Sequence, residues 1–114
     1  MMNNGAISAK IGGVMVENLT KNAVDAMGGV GKITITTGLE KDKVWIDVAD
    51  TGKGIARKNF KTVFSPGYTT KKRGWGLGLT LVKRIVEDYH GGKIYVKESE
   101  LGKGTTFRIE LPSA

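Results

Sequence analysis

The sequence has 114 residues, of which 39% are hydrophobic and 25% charged, as expected for one globular domain with a single core. No apolar run approaches the roughly 20 residues needed to cross a bilayer, no leader directs the chain to secretion, and the absence of cysteine excludes disulfides and thiolate chemistry. We therefore expect a cytoplasmic domain. The net charge of +7 favours an anionic partner, but only 7% of the chain is aromatic, which argues against nucleic acid.

The first third of the chain predicts a helix followed by a hairpin. We predict a single domain over residues 1–114, in which the aperiodic residues 1–8 are disordered or left over from expression. From residue 11 to 27 apolar residues recur at helical spacing, and "GGVG" then ends the helix. "KITITTG" and "KVWIDVAD" each alternate with period 2 around a polar connection, which predicts two adjacent antiparallel strands. The apolar helix positions are Ile11, Val14, Met15, Leu19, Ala23 and Ala26.

The remainder of the chain predicts a loop, a second helix and a second hairpin. Residues 56–60 favour a short helical turn, and residues 62–75 are polar and aperiodic, which in so small a domain predicts a mobile functional lid. Residues 76–89 regain a helical apolar stripe and end at "HGG". "KIYVKES" and "TTFRIELP" alternate around a "LGKG" turn. The element order predicts a two-layer α/β (α+β) sandwich with helices on one face of the sheet. The stripe consists of Leu77, Leu81, Val82, Ile85 and Val86.

The stretch "DTGKG" places Asp50 and two glycines at the end of the second predicted strand. A carboxylate there can accept a hydrogen bond from an exocyclic amine, and Gly52 and Gly54 would let a flat ring approach the backbone. This combination suits adenine. By itself the motif is weak, because it is more typical of a polar turn after a strand.

A second glycine-rich site, "RGWGLGLTLVKRIVE", leads directly into the second predicted helix. Unpaired amides at a helix N-terminus attract phosphate, so the motif suits the phosphate groups of a nucleotide. Close packing of the helix on the sheet would also explain the glycines. The Lys-Ser/Thr pair of a Walker A loop is missing, and no parallel βαβ unit supports a Rossmann site.

The first helix carries Asn18 and Asn22 one turn apart, with Asp25 three residues further on. Asparagine is unfavourable inside helices, so a pair on one face needs an explanation. Their amide oxygens could bind Mg²⁺, which takes most of its negative ligands from nucleotide phosphates. The alternative is an ordinary polar helix face.

These motifs, in this order, resemble the catalytic and ATP-binding domain of sensor histidine kinases, in the superfamily (GHKL) that includes gyrase B and MutL. "NLTKNAVDAM" resembles the N box, "DTGKGI" the G1 box, "VFSPGYTTK" the F box, "GWGLGLTLVKRIVE" the G2 box and "GKGTTFRIELP" the final glycine turn and strand. Because several boxes appear in register, coincidence is a poor explanation. The resemblance implies a Bergerat ATP-binding fold, with a mixed, largely antiparallel sheet covered on one face by helices.

The resemblance also implies a role for each matching position. Asp50 would bind the adenine amine, and Thr105 would lie near the base through water. Asn22, with Asn18 beside it, would hold Mg²⁺, and Phe64 would anchor the lid. The other residues of the base end would be Gly52, Gly54 and Ile55, and the phosphates would be bound by backbone amides of Gly76, Leu77, Gly78 and Leu79. The lid cations Lys71 and Arg73 would either reach the terminal phosphates or remain solvated.

Three departures from the family pattern bear on the mechanism. ATP-hydrolysing relatives have a water-activating glutamate where this chain has Asn18, and Glu17 is turned away by about 100°. The resemblance therefore implies phosphoryl transfer rather than hydrolysis. Trp75 stands where many kinases have a small residue, so we expect it to pack the lid. Little sequence is left for the strand that usually precedes the first helix, so that strand is truncated or missing.

The resemblance implies a fragment of a two-component sensor kinase that uses ATP and Mg²⁺. His90 is the only histidine, and it stands at a predicted helix end rather than on a phosphoacceptor helix. The implied partners are the dimerisation and histidine-phosphotransfer domain of the parent kinase and a response regulator receiver domain. The resemblance implies that the isolated domain is a monomer, and it is compatible with a membrane-anchored parent. Two alternatives remain open, an anti-sigma-type serine kinase and a nucleotide-sensing module without turnover.

Overall fold

A computed structural model of the protein describes residues 17–65, 75–89 and 91–112. Within these ranges the chain follows the predicted alternation of helix, hairpin, helix and hairpin. Residues 17–26 are helical and are called α1; the other elements are β1 (Ile33–Glu40), β2 (Lys43–Asp50), two 3₁₀ turns (Arg57–Asn59 and Thr62–Phe64), α2 (Trp75–Arg84), a π-helical turn (Ile85–Tyr89), β3 (Lys93–Glu100) and β4 (Gly104–Pro112).

The four described strands form one sheet in the order β1-β2-β4-β3, and every neighbouring pair is antiparallel. In this order β4, the second strand of the second hairpin, pairs with β2, the second strand of the first hairpin. The end of β2 therefore lies beside the start of β4. Asp50 of β2 is opposite Ile33 of β1 on one side and Thr105 of β4 on the other. The predicted two-layer, largely antiparallel architecture is confirmed. The part of the chain before the first helix, where we expect the family's usual strand to be truncated or missing, lies outside the described residues.

The core lies between one face of the sheet and the two helices. Alternate residues of the central strands point to this face because side chains of a strand alternate between its two sides. From α1 it receives Leu19 and Ala23, as predicted. The other core residues are Val48, Val63, Phe64, Leu79, Val82, Ile85, Val86, Ile94, Val96, Phe107 and Ile109.

The second helix buries a slightly different stripe from the predicted one. Val82, Ile85 and Val86 are buried as expected, but Leu81 is 41% exposed, so its place in the apolar stripe was wrong. The reason is angular: the buried face is centred on Val82 and Val86, and Leu81 lies about 100° away from Val82 around the helix. Leu79, which lies on the same face of the helix as Val82 and Val86, is buried instead.

The opposite face of the sheet carries a charged cluster. Asp47 is buried there and accepts two hydrogen bonds from Arg108, at 2.7 and 2.9 Å, and one from Lys97 at 3.1 Å. The hydrogen bonds from Arg108, above all, hold the pKa of Asp47 below its ordinary value. The Arg108 guanidinium also lies 4.5 Å from the ring centroid of Trp45, a cation–π contact. This cluster ties β2, β3 and β4 together by side chains.

The first hairpin closes more tightly than the polar connection had suggested. The strands pair up to Glu40 and Lys43, so only Lys41 and Asp42 form the turn. Lys41 has φ of 56°, the only positive φ at a non-glycine residue in the described chain. A side chain in this region is strained, which is why Asn and Gly are preferred in such turns.

Candidate nucleotide-binding site

Asp50 is a buried carboxylate at the end of a central strand. Its side chain follows the alternation of β2 onto the core face, and it is only 7% exposed. Oδ1 accepts a hydrogen bond from the Gly52 amide at 2.8 Å. Burial raises the pKa of Asp50, while hydrogen bonds from the Gly52 and Thr105 backbone amides act in the opposite direction. A carboxylate has about four lone-pair sites, so it can accept further donors from a ligand.

The glycines of the turn after Asp50 lie directly against the protein's own backbone. A Cβ at Gly52 would come within 2.7 Å of the Ala26 carbonyl at the end of α1. Gly54 has φ of 80°, and a Cβ there would meet the Glu100 carbonyl. Two backbone hydrogen bonds of Lys53 fix the same turn. Its amide donates to the Ala26 carbonyl at 3.0 Å, and its carbonyl accepts from the Gly102 amide at 2.8 Å. Close packing therefore requires these glycines, and their contact with a base stays a prediction.

Thr105 is the second buried polar side chain at this end of the sheet, 5% exposed and opposite Asp50 across the strand pair. Its hydroxyl lies 2.7 Å from the hydroxyl of Ser99. The Ser99 hydroxyl also accepts a hydrogen bond of 2.7 Å from the Ile55 amide. Asp50, Ser99, Gly104 and Thr105 are among the residues lining a cavity of about 330 Å³. The predicted base-end residues Asp50, Ile55 and Thr105 are thus brought together. Ser99 was missed because a serine in a strand gives no pattern in the sequence.

The two asparagines of α1 are both half-buried, one helical turn apart. Glu17, by contrast, is exposed and pairs with Lys21 at 3.4 Å, so it is turned away from that face as predicted. No group of three or more His, Cys, Asp or Glu residues that could hold a metal occurs in the described part of the chain. Amide oxygens without a carboxylate cluster fit an ion that receives its negative ligands from phosphates, as Mg²⁺ does.

Phe64 joins the start of the predicted lid to the core. Its ring is 6% exposed and meets Phe107 edge-on, with 5.9 Å between the ring centroids and 79° between the planes. Its carbonyl accepts a hydrogen bond of 3.0 Å from the Thr80 hydroxyl on α2. The predicted lid therefore begins with a packed 3₁₀ turn, Thr62–Phe64, in which Val63 and Phe64 are buried. Aromatic anchoring by Phe64 is consistent with these contacts.

The N-terminus of α2 lies next in the chain. Because the helix begins at Trp75, the amides without an acceptor inside the helix are those of its first residues, which include Gly76 and Leu77. The Leu79 side chain is buried in the core. Phosphate binding by the amides of Gly76, Leu77, Gly78 and Leu79 stays a prediction.

Several predicted positions lie outside the described residues. They are residues 66–74, with the lid cations Lys71 and Arg73, and His90. The side chains of residues 75–78, including that of Trp75, also lie outside them. The predictions for these positions stay predictions.

A family model described as histidine kinase-, DNA gyrase B-, and HSP90-like ATPase matches residues 13–114. The chain belongs to this family. The resemblance drawn from the sequence motifs is thereby confirmed, and ATP is the ligand of this ATPase domain. The chain is 47% identical over 95 residues to the sensor histidine kinase ZraS of Escherichia coli (strain K12). That alignment covers 83% of this chain and 20% of ZraS, so the ATPase-family domain spans about a fifth of the length of this relative.

Solved histidine kinase structures share the fold of this ATPase-family domain. The catalytic domain of ThkA superposes with a TM-score of 0.75 at 39% identity, over 87% of this chain and 64% of that chain. ShkA in complex with AMPPNP gives a TM-score of 0.76 at 32% identity, over 89% of this chain and 21% of ShkA. ThkA in complex with the response regulator TrrA gives a TM-score of 0.72 at 37% identity, over 88% of this chain and 28% of that ThkA chain. In the described residues, no helix has the length and apolar character that a membrane crossing needs.

Proposed function

We propose that this domain binds Mg-ATP and transfers the terminal phosphoryl group to a histidine on a separate helical dimerisation domain of a two-component sensor kinase. The observation that carries the proposal is the pairing of two buried polar side chains, Asp50 and Thr105, at the end of the central strands. A buried carboxylate is unfavourable for folding unless its lone pairs are satisfied, and the amides of Gly52 and Thr105 occupy only part of those of Asp50, which leaves acceptor sites for a ligand that supplies donors. The adenine amine is such a donor.

The phosphate end of the proposed site lies on the two helices. Asn22, with Asn18 one turn away, would hold Mg²⁺ through amide oxygens. The bound ion would neutralise charge that develops on the phosphates. The first amides of α2, including those of Gly76 and Leu77, would bind phosphate oxygens. In this arrangement the domain acts by positioning and by electrostatic stabilisation, with the nucleophile supplied by the partner.

The domain has the features of a transferase rather than of a hydrolase. Asn18 stands at the position where the ATP-hydrolysing members of the superfamily have a glutamate. A neutral amide cannot remove a proton from water. Glu17 is exposed and paired with Lys21. We infer that a base for the transfer belongs to the acceptor domain. The name of the matched relative ZraS, a sensor histidine kinase, favours histidine over serine as the acceptor.

The partners follow from the same proposal. One is the helical domain with the phosphoacceptor histidine, in the remainder of a longer parent kinase. The other is a response regulator receiver domain; the complex of ThkA with TrrA supports it, since the catalytic domain of ThkA is similar to this chain.

The test uses the domain with labelled ATP and Mg²⁺. The domain alone should bind nucleotide in calorimetry but show negligible autophosphorylation and only trace hydrolysis. Adding the helical domain of the parent as a separate polypeptide should place label on its histidine, and Asn22→Ala should abolish that label. Strong label on the isolated domain, or fast ATP hydrolysis without a partner, would contradict the proposal.

A further inference from the structure

Ser99 lies at the junction of three segments around the base end of the proposed site. Its hydroxyl oxygen is 2.7 Å from the Ile55 amide, 2.9 Å from the Gly104 carbonyl and 2.7 Å from the Thr105 hydroxyl. Ser99 is opposite Thr105 in the β3–β4 pair, and Thr105 is opposite Asp50 in the β2–β4 pair. Asp50, Thr105 and Ser99 therefore form one row across three strands.

The three contacts of Ser99 can all be hydrogen bonds at the same time in only one arrangement of its proton. A hydroxyl has one hydrogen to donate and two lone pairs to accept with. The Ile55 amide can only donate and the Gly104 carbonyl can only accept, so the hydrogen of Ser99 goes to Gly104. The contact with Thr105 then requires that the Thr105 hydroxyl donates to Ser99.

This arrangement fixes the character of the Thr105 hydroxyl. Its single hydrogen points to Ser99, so towards any other partner the oxygen presents only lone pairs. The neighbouring Asp50 presents lone pairs too when ionised. Both buried side chains at this end are then acceptors, and a ligand group placed between them must be a donor.

We propose that Ser99 is a specificity-determining residue, which orients the Thr105 hydroxyl so that the site accepts the 6-amino group of adenine and rejects the 6-oxo group of guanine. The proposal rests on the proposed function, because it assumes that Asp50 and Thr105 face the base. A site built to receive a hydrogen bond discriminates strongly against a ligand that cannot donate it, because its buried acceptors then stay unpaired. Without Ser99, the Thr105 hydroxyl could rotate and donate to an oxo group.

The test compares ADP and GDP binding by calorimetry in matched variants. Ser99→Ala should lower the ratio of ADP to GDP affinity about tenfold, the value of one hydrogen bond. Ser99→Thr, which keeps the hydroxyl, should retain the wild-type ratio. Thr36→Ala is the control, since Thr36 is an exposed residue of β1 and does not line the cavity. A purely structural role for Ser99 would weaken both nucleotides equally and leave the ratio unchanged, and that result would overturn the proposal.

A double-mutant cycle isolates the effect of Thr105. In a Thr105→Val background no hydroxyl remains to be reoriented, so Ser99→Ala should no longer change the ratio. A persistent change would also overturn the proposal. If Ser99→Ala does not fold, the nearly isosteric Ser99→Cys replaces it, because sulfur is a weak acceptor and should hold the Thr105 hydrogen poorly. Failure of the wild-type domain to bind ADP at all would instead refute the proposed function.

Discussion

The substitution Asp50→Asn tests whether the buried carboxylate strengthens nucleotide binding while it lowers the stability of the fold. The two side chains have nearly the same shape, and the Asn oxygen can still accept the Gly52 amide, which is 2.8 Å away in the wild type. The amide NH₂, however, would face the NH₂ of adenine. Losing one charge-assisted buried hydrogen bond weakens binding by about 1.5 to 3 kcal/mol, which is roughly ten- to a hundredfold in ADP affinity.

The same substitution should stabilise the empty domain. Burial raises the pKa of Asp50, so the folded state disfavours the ionised form. A group with a raised folded pKa lowers stability as pH rises from its unfolded value through the folded one. At neutral pH the neutral Asn avoids this cost, so the free energy of unfolding of the empty variant should exceed that of the wild type. The gain should disappear below the ordinary Asp value of 3.8.

Asp47→Asn is the matched control, three residues earlier on the same strand and also buried. Its pKa is lowered, chiefly by hydrogen bonds from Arg108, so ionised Asp47 stabilises the fold above 3.8 and this contribution is lost as pH falls through the lowered value. Asp47→Asn should therefore destabilise at neutral pH, by about 1.5 to 3 kcal/mol, without changing ADP affinity. Urea unfolding at pH 7 and pH 3.5, with calorimetry at pH 7, checks both. Unchanged ADP affinity in folded Asp50→Asn would remove Asp50 from the base site, and equal destabilisation by both variants would refute the pKa argument.

Three further substitutions test other parts of the structure. Asn22→Ala should remove most of the Mg²⁺ dependence of ATP binding while metal-free ADP binding changes little in calorimetry; equal Mg²⁺ dependence would defeat the metal assignment. Phe64→Ala should cost about 3 to 5 kcal/mol in urea unfolding, as large-to-small changes of buried aromatics do, whereas Leu101→Ala, at a residue 65% exposed, should stay within about 0.5 kcal/mol. Gly104→Ala should be less stable than Gly102→Ala by about 1 to 3 kcal/mol, because both have positive φ but only at Gly104 would a Cβ meet the Asp50 carbonyl; similar losses would refute the close contact.

The elements of the fold were predictable from periodicity, because strands with one buried face alternate strictly. Leu81 shows the limit of this approach: an apolar residue at helical spacing can still lie at the edge of the buried stripe. The tight Lys41–Asp42 turn was not predictable either, since its sequence lacks the Asn or Gly that such turns favour. Pairing of the strands overrides this local preference.

The candidate site was predictable where a residue is chemically unusual in its setting. Asp50 at a strand end and Asn22 inside a helix are such cases, and the structure describes both. Ser99 and the contact between Gly104 and Asp50 depend on the order of strands in the sheet, which places β4 beside β2. Such neighbours are far apart in the chain, and no local pattern reports them.

The Lys41–Asp42 turn offers a practical handle on the domain. It lies at the opposite end of β2 from Asp50, about 27 Å away at the usual rise per residue of a strand. The turn already accommodates a strained lysine, so replacing or lengthening it costs little. A fluorophore or an affinity tag grafted there would lie at the end of the sheet away from Asp50 and the candidate base site.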